Sequence, residues 1–113
     1  MWIFTKHGYY SIVHDKYCKE NEVMIRSRCK DDLIKFMDAV SITGKIIEIG
    51  HADYAYRLPV KRDILSNYLS NYALKDLTYP NFKNTIPKDE RARHDAYFKC
   101  WSALHQFQNS DFN

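Results

Sequence analysis

Hydrophobic and polar residues alternate over several short stretches of the chain, with the two-residue period typical of half-buried β-strands. In the third of these stretches, Val23 and Ile25 fall on one face, and Arg26 and Arg28 fall on the other. Gly8 lies in a turn between the first two stretches and supplies the positive φ that such a turn needs. The predicted strands are Trp2–Thr5, Tyr9–His14, Glu22–Arg28, Lys45–Ile49 and Tyr54–Val60.

The fifth predicted strand is rich in tyrosine and carries Arg57 on the face opposite its apolar positions. The positions that share the apolar face are Tyr54, Tyr56, Leu58 and Val60. If the third and fifth strands are neighbours, then Arg26, Arg28 and Arg57 share one face of the sheet.

Apolar residues at helical spacing predict three helices. The first begins near Asp31 or Asp32, either of which can cap it, and the chain leaves it by Gly44. The second covers 62–73 and the third 89–108. We expect the tyrosines of the helical stripes, Tyr68, Tyr72 and Tyr97, to lie in the core. The stripe of the third helix consists of Tyr97, Cys100, Trp101, Leu104 and Phe107.

Strands and helices are only partly interleaved, which favours an α+β fold over a doubly wound parallel sheet. We expect an antiparallel or mixed sheet of about five strands with three helices packed mainly on one face. No repeat or linker divides the chain, so the prediction is a single domain over 1–113 with a frayed tail at 109–113.

The composition is that of a packed protein, with 45% hydrophobic residues in a chain of 113. Nine tyrosines contrast with three glycines, and so few glycines exclude the glycine-rich loops that cradle phosphates in many nucleotide-binding enzymes. A formal net charge of +3 permits a polyanionic partner without demanding one.

The three cysteines, Cys18, Cys29 and Cys100, lack the spacing of a zinc or redox motif. An odd number of thiols indicates a reducing, cytoplasmic location. No run of residues is apolar enough to predict a signal peptide or a membrane span. We therefore expect no metal, no cofactor and no membrane association.

The strongest candidate chemistry is a basic set, Arg26, Arg28, Arg57 and Lys83, which can hold phosphates. Exposed tyrosines would add stacking platforms for unpaired bases. The structural alternative is that the arginines form a solvated face or pair with aspartates, and that the tyrosines are core.

Histidines offer a weaker case for acid–base chemistry, because they lack metal-binding or catalytic spacing. His7 and His51 lie in predicted turns that face solvent, and His94 lies on the last helix. Asp53, between a turn and the tyrosine-rich strand, could pair with an arginine or assist a histidine.

The chain carries five ordered motifs: Trp2–Val13, Arg26–Arg28, Ala52–Arg57, Tyr79–Lys83 and the pair Tyr97 and Trp101. Together they resemble a family of small, mostly uncharacterised bacterial proteins of about this length. Those proteins begin Trp-[Ile/Leu]-x-Thr-x-x-Gly-[Phe/Tyr]-[Phe/Tyr]-Ser-x-Val, which is similar to Trp2–Val13 here. They continue with Arg-x-Arg, Asp-Tyr-x-Tyr-Arg, Tyr-x-Asn-Phe-Lys and a late Tyr-x-x-x-Trp pair. The resemblance implies no activity. It implies that the motifs' polar positions are matched by Thr5, Ser11, Arg26, Arg28, Asp53, Tyr54, Arg57, Asn81 and Lys83.

These observations favour a non-enzymatic binding module for a phosphate-bearing ligand, RNA or single-stranded DNA. The predicted ligand-binding residues are Arg26, Arg28, Asp53, Tyr54, Arg57, Asn81 and Lys83. Two alternatives remain: a protein-interaction module that uses exposed tyrosines, and a small hydrolase or nuclease that uses His7, His51 or His94 with Asp53.

Overall fold

The computed structural model of the chain describes residues 1–110. The chain divides into two compact units, Met1–Thr78 and Tyr79–Asn113. The first unit holds a five-stranded sheet and two α-helices, and the second holds a third α-helix. The α+β class predicted from the sequence is confirmed.

The sheet of the first unit is antiparallel throughout. Its spatial order is β1-β2-β3-β5-β4, so the third and fifth strands are neighbours. Two strands are markedly shorter than predicted or begin later. β4 has only two residues, and β5 begins at Tyr56 rather than Tyr54. The strands are β1 (Trp2–Thr5), β2 (Gly8–Val13), β3 (Glu22–Ser27), β4 (Ile47–Glu48) and β5 (Tyr56–Lys61).

Two helices, α1 (Lys30–Ala39) and α2 (Arg62–Asn71), cover one face of this sheet. The ring of Tyr10 on β2 lies 5.6 Å from Phe36 of α1 and 6.2 Å from Tyr68 of α2, between ring centres. All three rings are buried, and this aromatic contact is the centre of the hydrophobic core. Ile12, Ile25 and Leu58, at paired positions of three adjacent strands, extend the core across the same face.

The turn between β1 and β2 depends on Gly8, whose φ is 153°. A Cβ at this position would collide with the buried carboxyl group of Asp32 in α1. The same carboxylate accepts a hydrogen bond from the backbone N–H of Tyr9, at 3.2 Å. The expected capping role of Asp31 or Asp32 is therefore wrong: the cap position is Cys29, and Asp32 ties the helix to the hairpin.

The second helix runs on into a π-helical segment, Tyr72–Asp76, beyond its predicted end. The buried Tyr72 hydroxyl accepts a hydrogen bond from the backbone N–H of Lys6, at 2.8 Å. The Lys6 ammonium group pairs with Asp76 at 2.9 Å. The π-helical segment is thus fastened to the β1–β2 turn.

The second unit contains a short 3-10 turn, Phe82–Thr85, and helix α3 (Arg91–Gln108). The Tyr97 ring stacks on Phe82 with centres 5.9 Å apart, but it is half-buried rather than a core residue. No residue of α3 is buried, so the prediction that Tyr97 lies in the core is wrong. The exposed apolar side chains are Phe98, Trp101, Leu104 and Phe107.

The chain groups into two compact units, and the single domain over 1–113 stays a prediction. Helix α3 ends at Gln108, where the frayed tail 109–113 was predicted to begin. Positions 111–113 of that tail lie outside the described residues.

Candidate functional site

Several polar residues form a row across the sheet on the face opposite α1 and α2. Ser11 pairs with Arg26 between β2 and β3, and Arg26 pairs with Arg57 between β3 and β5. Because paired residues of adjacent strands point to the same side, the two arginines share a face, as predicted. Arg28 follows one residue after the end of β3.

Tyr54 is the centre of this cluster. It lies just before β5, is 3% exposed, and does not share the face of Tyr56 that the sequence predicts. Its hydroxyl is hydrogen-bonded to that of Tyr9 at 2.9 Å. The guanidinium carbons of Arg26 and Arg28 lie 4.6 Å and 4.3 Å from the centre of its ring. The ring therefore orients two cations at once.

Each of these two guanidinium groups has a further anchor. Arg26 donates from Nη2 to the Ser11 hydroxyl at 2.6 Å, and Arg28 donates from Nη1 to the Asp53 carbonyl at 2.6 Å. The Nε of Arg26 is buried and has no hydrogen-bond partner among the described residues. Arg28 is exposed. A guanidinium carries five N–H donors, so Arg28 retains donors for an external acceptor.

Arg57 has a different environment from the other two arginines. Its Nε donates to the Tyr54 carbonyl at 3.2 Å, and Nη2 lies 3.5 Å from the Asp53 carboxylate. Nη1 lies 4.0 Å from the carboxylate of Asp15, and only 16% of the Arg57 side chain is exposed. This arginine therefore holds the segments that carry Asp15 and Asp53 against the sheet. Its hydrogen bond to the Tyr54 carbonyl positions that residue, and its positive charge is paired with the two carboxylates.

The hydroxyl of Tyr54 is an electrostatically favourable place for negative charge. Burial by itself raises the pKa of this phenol, but hydrogen bonds from Tyr9 and Ser11 and the positive charge of Arg28 outweigh it. The pKa of Tyr54 is consequently lowered from its ordinary value. The backbone N–H of Tyr54 donates a hydrogen bond to the Asp53 carboxylate at 2.9 Å, which fixes the backbone of Tyr54.

Aromatic rings continue from this cluster to the edge strand β1. Tyr9 stacks on Phe4 with ring centres 4.6 Å apart and meets Trp2 edge-on at 6.4 Å. Trp2 pairs with Ser11 and so lies in the row of the arginines. Trp2 and Phe4 are not among the ligand-binding residues predicted from the sequence, although their two-residue spacing in a strand places them on one face.

The two remaining predicted ligand-binding residues belong to the second unit. The Asn81 side chain accepts the backbone N–H of Lys83 at 3.2 Å and so caps the 3-10 turn, which is a structural role. Lys83 is exposed in the last part of that turn.

His7 lies in the β1–β2 turn, as predicted, but its side chain is half-buried in a polar network and does not face solvent. Its Nδ1 lies 2.8 Å from the hydroxyl of Tyr68, which lies 2.7 Å from the hydroxyl of Thr5. Burial lowers the pKa of His7, and Lys6 and Lys35 add to the effect while Asp76 opposes it. Burial also raises the pKa of Tyr68.

Residues 1–110 contain neither a cluster of metal ligands nor a membrane-spanning helix. In that part of the chain, His, Cys, Asp and Glu do not form any group of three or more that could hold a metal ion. None of the helices described there has the length and apolar character needed to cross a membrane.

The fold and the site define an α+β protein with a cluster of arginine and aromatic side chains on the sheet face opposite its two packed helices. Comparison of the chain with protein-family models, curated proteins and solved structures finds no match. The resemblance to the small bacterial family therefore stays a prediction.

Proposed function

We propose that this protein is a non-enzymatic binding module for a phosphate-bearing ligand, RNA or single-stranded DNA. The observation that carries the proposal is the pair of guanidinium groups, from Arg26 and Arg28, that lie over the Tyr54 ring. Arginine is suited to phosphate because its planar donors can form two parallel hydrogen bonds to phosphate oxygens.

Preorganisation supports this function. Ser11 and the Asp53 carbonyl fix the guanidinium groups before any ligand arrives. A side chain that is already ordered loses less conformational entropy on binding, and more of its interaction energy then contributes to affinity.

The lowered pKa of Tyr54 supports an anion in particular. Arg28 and the surrounding hydroxyl groups stabilise the negative charge of a tyrosinate at this position. The same positive charge would stabilise a phosphate oxygen at the exposed guanidinium group of Arg28. The donor geometry of the arginines and the electrostatics around Tyr54 thus both favour a phosphate-bearing ligand.

The basic set does not contribute uniformly to the proposed binding. Arg28 is exposed and forms the primary contact, while Arg26 is half-buried and supports it. Arg57 is neutralised by Asp15 and Asp53, so it acts as a positioning residue. Lys83, exposed in the second unit, is a further candidate for a phosphate contact.

A salt series tests the proposal. The fluorescence anisotropy of a labelled single-stranded oligonucleotide is measured against increasing salt for the wild type and for Arg28→Ala. Each phosphate contact contributes to the slope of log affinity against log salt, so Arg28→Ala should weaken binding and reduce that slope by about 1.

Arg62→Ala is the matched control for Arg28→Ala. It removes the same side chain from the first residue of α2, the helix that packs on the other face of the sheet. We expect its affinity and salt slope to stay near those of the wild type. Absence of binding at low salt, or equal losses in the two variants, would contradict the proposed function.

A second candidate function, docking of a protein partner, is favoured by helix α3. Trp101 is 61% exposed, Leu104 is 68% exposed, and Phe98 stacks on Trp101 with ring centres 6.0 Å apart. Exposed aromatic and apolar residues of this kind are enriched at the centres of protein interfaces. The sequence had assigned this role to tyrosines, whereas the exposed group here contains phenylalanine, tryptophan and leucine.

Co-purification from the native host tests the second candidate. A stoichiometric protein that survives nuclease treatment and is lost with Leu104→Glu would support it. Leu74→Glu, at an exposed position of the π-helical segment, is the control and should retain the partner. Retention by Leu104→Glu would exclude α3 as the docking surface.

The hydrolase or nuclease alternative has less geometric support. The carboxylate of Asp53 is engaged by Arg57 and by the N–H of Tyr54, while His7 contacts Tyr68. His94 Nε2 lies 3.2 Å from the Pro87 carbonyl. Turnover of a nucleotide or nucleic-acid substrate that is lost in an Asp53→Asn variant would revive this alternative.

A cytoplasmic location is part of the proposal, because all three cysteines are free. Cell fractionation followed by thiol labelling tests it. Recovery of fully labelled protein in the soluble cytoplasmic fraction is the expected result, and recovery of oxidised protein outside that fraction would contradict it.

A further inference from the structure

The indole of Trp2 lies on the face of the sheet that carries the arginines. Trp2 pairs with Ser11, and Ser11 pairs with Arg26, so these three positions form a straight row across β1, β2 and β3. Neighbouring strands are about 4.8 Å apart, which places the backbones of Trp2 and Arg26 roughly 10 Å apart. The Trp2 side chain is 71% exposed, the highest value among the aromatic residues of the first unit.

The space between Trp2 and the arginines contains other rings. Trp2 meets Tyr9 at 6.4 Å between ring centres, and the Tyr9 hydroxyl bonds to that of Tyr54. Tyr54 in turn lies under Arg26 and Arg28. An exposed aromatic surface is thus continuous with a cationic one, a combination that proteins use to bind unpaired bases together with their phosphates.

We propose that Trp2 is a base-stacking subsite: one nucleobase of a single strand stacks on its indole, and a phosphate of the same strand binds Arg28. This inference rests on the proposed function and adds to it the position at which a base of the ligand binds. The ligand is single-stranded, because within a duplex both faces of every internal base are covered by its stacked neighbours.

The chemistry of the face favours a nucleobase over an apolar protein segment. The indole of Trp2 shares its sheet face with guanidinium groups that a purely apolar partner would have to desolvate without compensation. A nucleotide supplies an aromatic ring for the indole and an anion for the arginine on one molecule.

The distance between Trp2 and Arg28 also sets the number of nucleotides that the proposed site covers. Arg28 lies two residues beyond Arg26, so its backbone is roughly 12 Å from that of Trp2. This distance corresponds to about three to four nucleotides at the 3.4 Å step of a stacked strand. A strand extended across the sheet would cover the same distance with fewer nucleotides. Very short oligomers should therefore already occupy both the indole and the arginine.

Tryptophan fluorescence gives a direct test, because the chain has only two tryptophans. The exposed Trp101 is replaced in a Trp101→Phe background, which leaves Trp2 as the one reporter. The protein is titrated with an oligodeoxythymidine octamer and, in parallel, with an abasic octamer that has the same phosphates and no bases. We expect the oligodeoxythymidine to quench Trp2 and the abasic strand to bind more weakly with little quenching.

Variants at Trp2 provide the second measurement. Trp2→Leu keeps an apolar side chain without the ring and should lower oligodeoxythymidine affinity between about 5- and 150-fold. Trp2→Phe should retain most of the affinity, and Tyr17→Leu, which removes an exposed ring from the loop after β2, should change little. The abasic strand should bind the Trp2→Leu variant and the wild type equally.

The possible outcomes separate this inference from the proposed function. Equal binding of the two octamers, lost in Arg28→Ala but unchanged in Trp2→Leu, would overturn the stacking subsite and leave the phosphate site in place. Binding of neither octamer would overturn both. A change of oligomeric state in Trp2→Leu, seen by sedimentation without any change in octamer affinity, would show that Trp2 contacts another protein surface instead.

Discussion

The guanidinium carbon of Arg28 lies 4.3 Å from the centre of the Tyr54 ring, although the two residues are distant in the chain. Arg28 also donates to the carbonyl of Asp53, the residue before this tyrosine. The arrangement couples the ionisation of a phenol to the charge of an exposed arginine. It makes Tyr54 an internal reporter of the proposed phosphate site.

The first prediction concerns the pKa of Tyr54. In the wild type it lies below the ordinary value of 10.0, and Arg28→Ala should raise it because the positive charge that favours the tyrosinate is removed. Titration of tyrosine ring carbons by NMR measures this, with Tyr54→Phe to assign the signal. Arg62→Ala is the control, and an equal rise in that variant would refute the local effect.

The second prediction concerns the pH dependence of stability through His7. Burial lowers its pKa in the folded chain below 6.5, so the unfolded chain binds the proton more readily. The free energy of unfolding should therefore fall as the pH decreases from 6.5 through the lowered pKa. His7→Gln should flatten this dependence in urea unfolding at several pH values, whereas His51→Gln, in an exposed turn, should not. Parallel curves for the wild type and His7→Gln would exclude the effect.

The third prediction concerns the β1–β2 turn. Gly8→Ala should lower the free energy of unfolding by about 2 kcal/mol or more, because the new Cβ meets the buried Asp32 and the φ of 153° disfavours a side chain. Gly50→Ala adds the same methyl group where no atom lies within 4 Å, and it should change stability by no more than about 0.5 kcal/mol. Chemical denaturation measures both, and similar losses would contradict the close packing at Gly8.

The fourth prediction separates the structural arginine from the ligand-binding one. Arg57→Ala removes the link between Asp15, Asp53 and the sheet, and should cost about 1.5–3 kcal/mol of stability, the range for hydrogen bonds of charged groups. Arg28→Ala should cost about 0.5–1 kcal/mol, the value of an exposed cation–π contact. A larger loss in Arg28→Ala than in Arg57→Ala, by thermal or urea unfolding, would reverse the two roles.

The pattern of apolar and polar residues is enough to predict the main helices and strands of this protein and the faces of β3 and α2. Alternation along β3 separates Ile25 from Arg26, and the helical stripe of α2 correctly places Tyr68 and Tyr72 in the core. It also led to the shared sheet face of Arg26 and Arg57, once β3 and β5 were taken as neighbours. These features depend on periodicity, which is a local property of the chain.

Tertiary structure decided which of these residues meet and how each is used. Tyr54 continues the alternation of β5 in sequence, yet it leaves the strand and lies under Arg26 and Arg28, because the preceding segment is held by Arg57. Asp32 has the sequence signature of a helix cap, but the close approach of Gly8 makes it a buried acceptor.

The apolar stripe of α3 is a further case in which the sequence pattern does not determine burial. Its apolar spacing is typical of a buried helix, and Trp101 and Leu104 are nevertheless exposed. Periodicity records that a helix has an apolar face, whereas burial requires a second surface against that face. Which surfaces come together follows from strand pairing and contacts between residues far apart in the chain, and these are properties of the folded molecule.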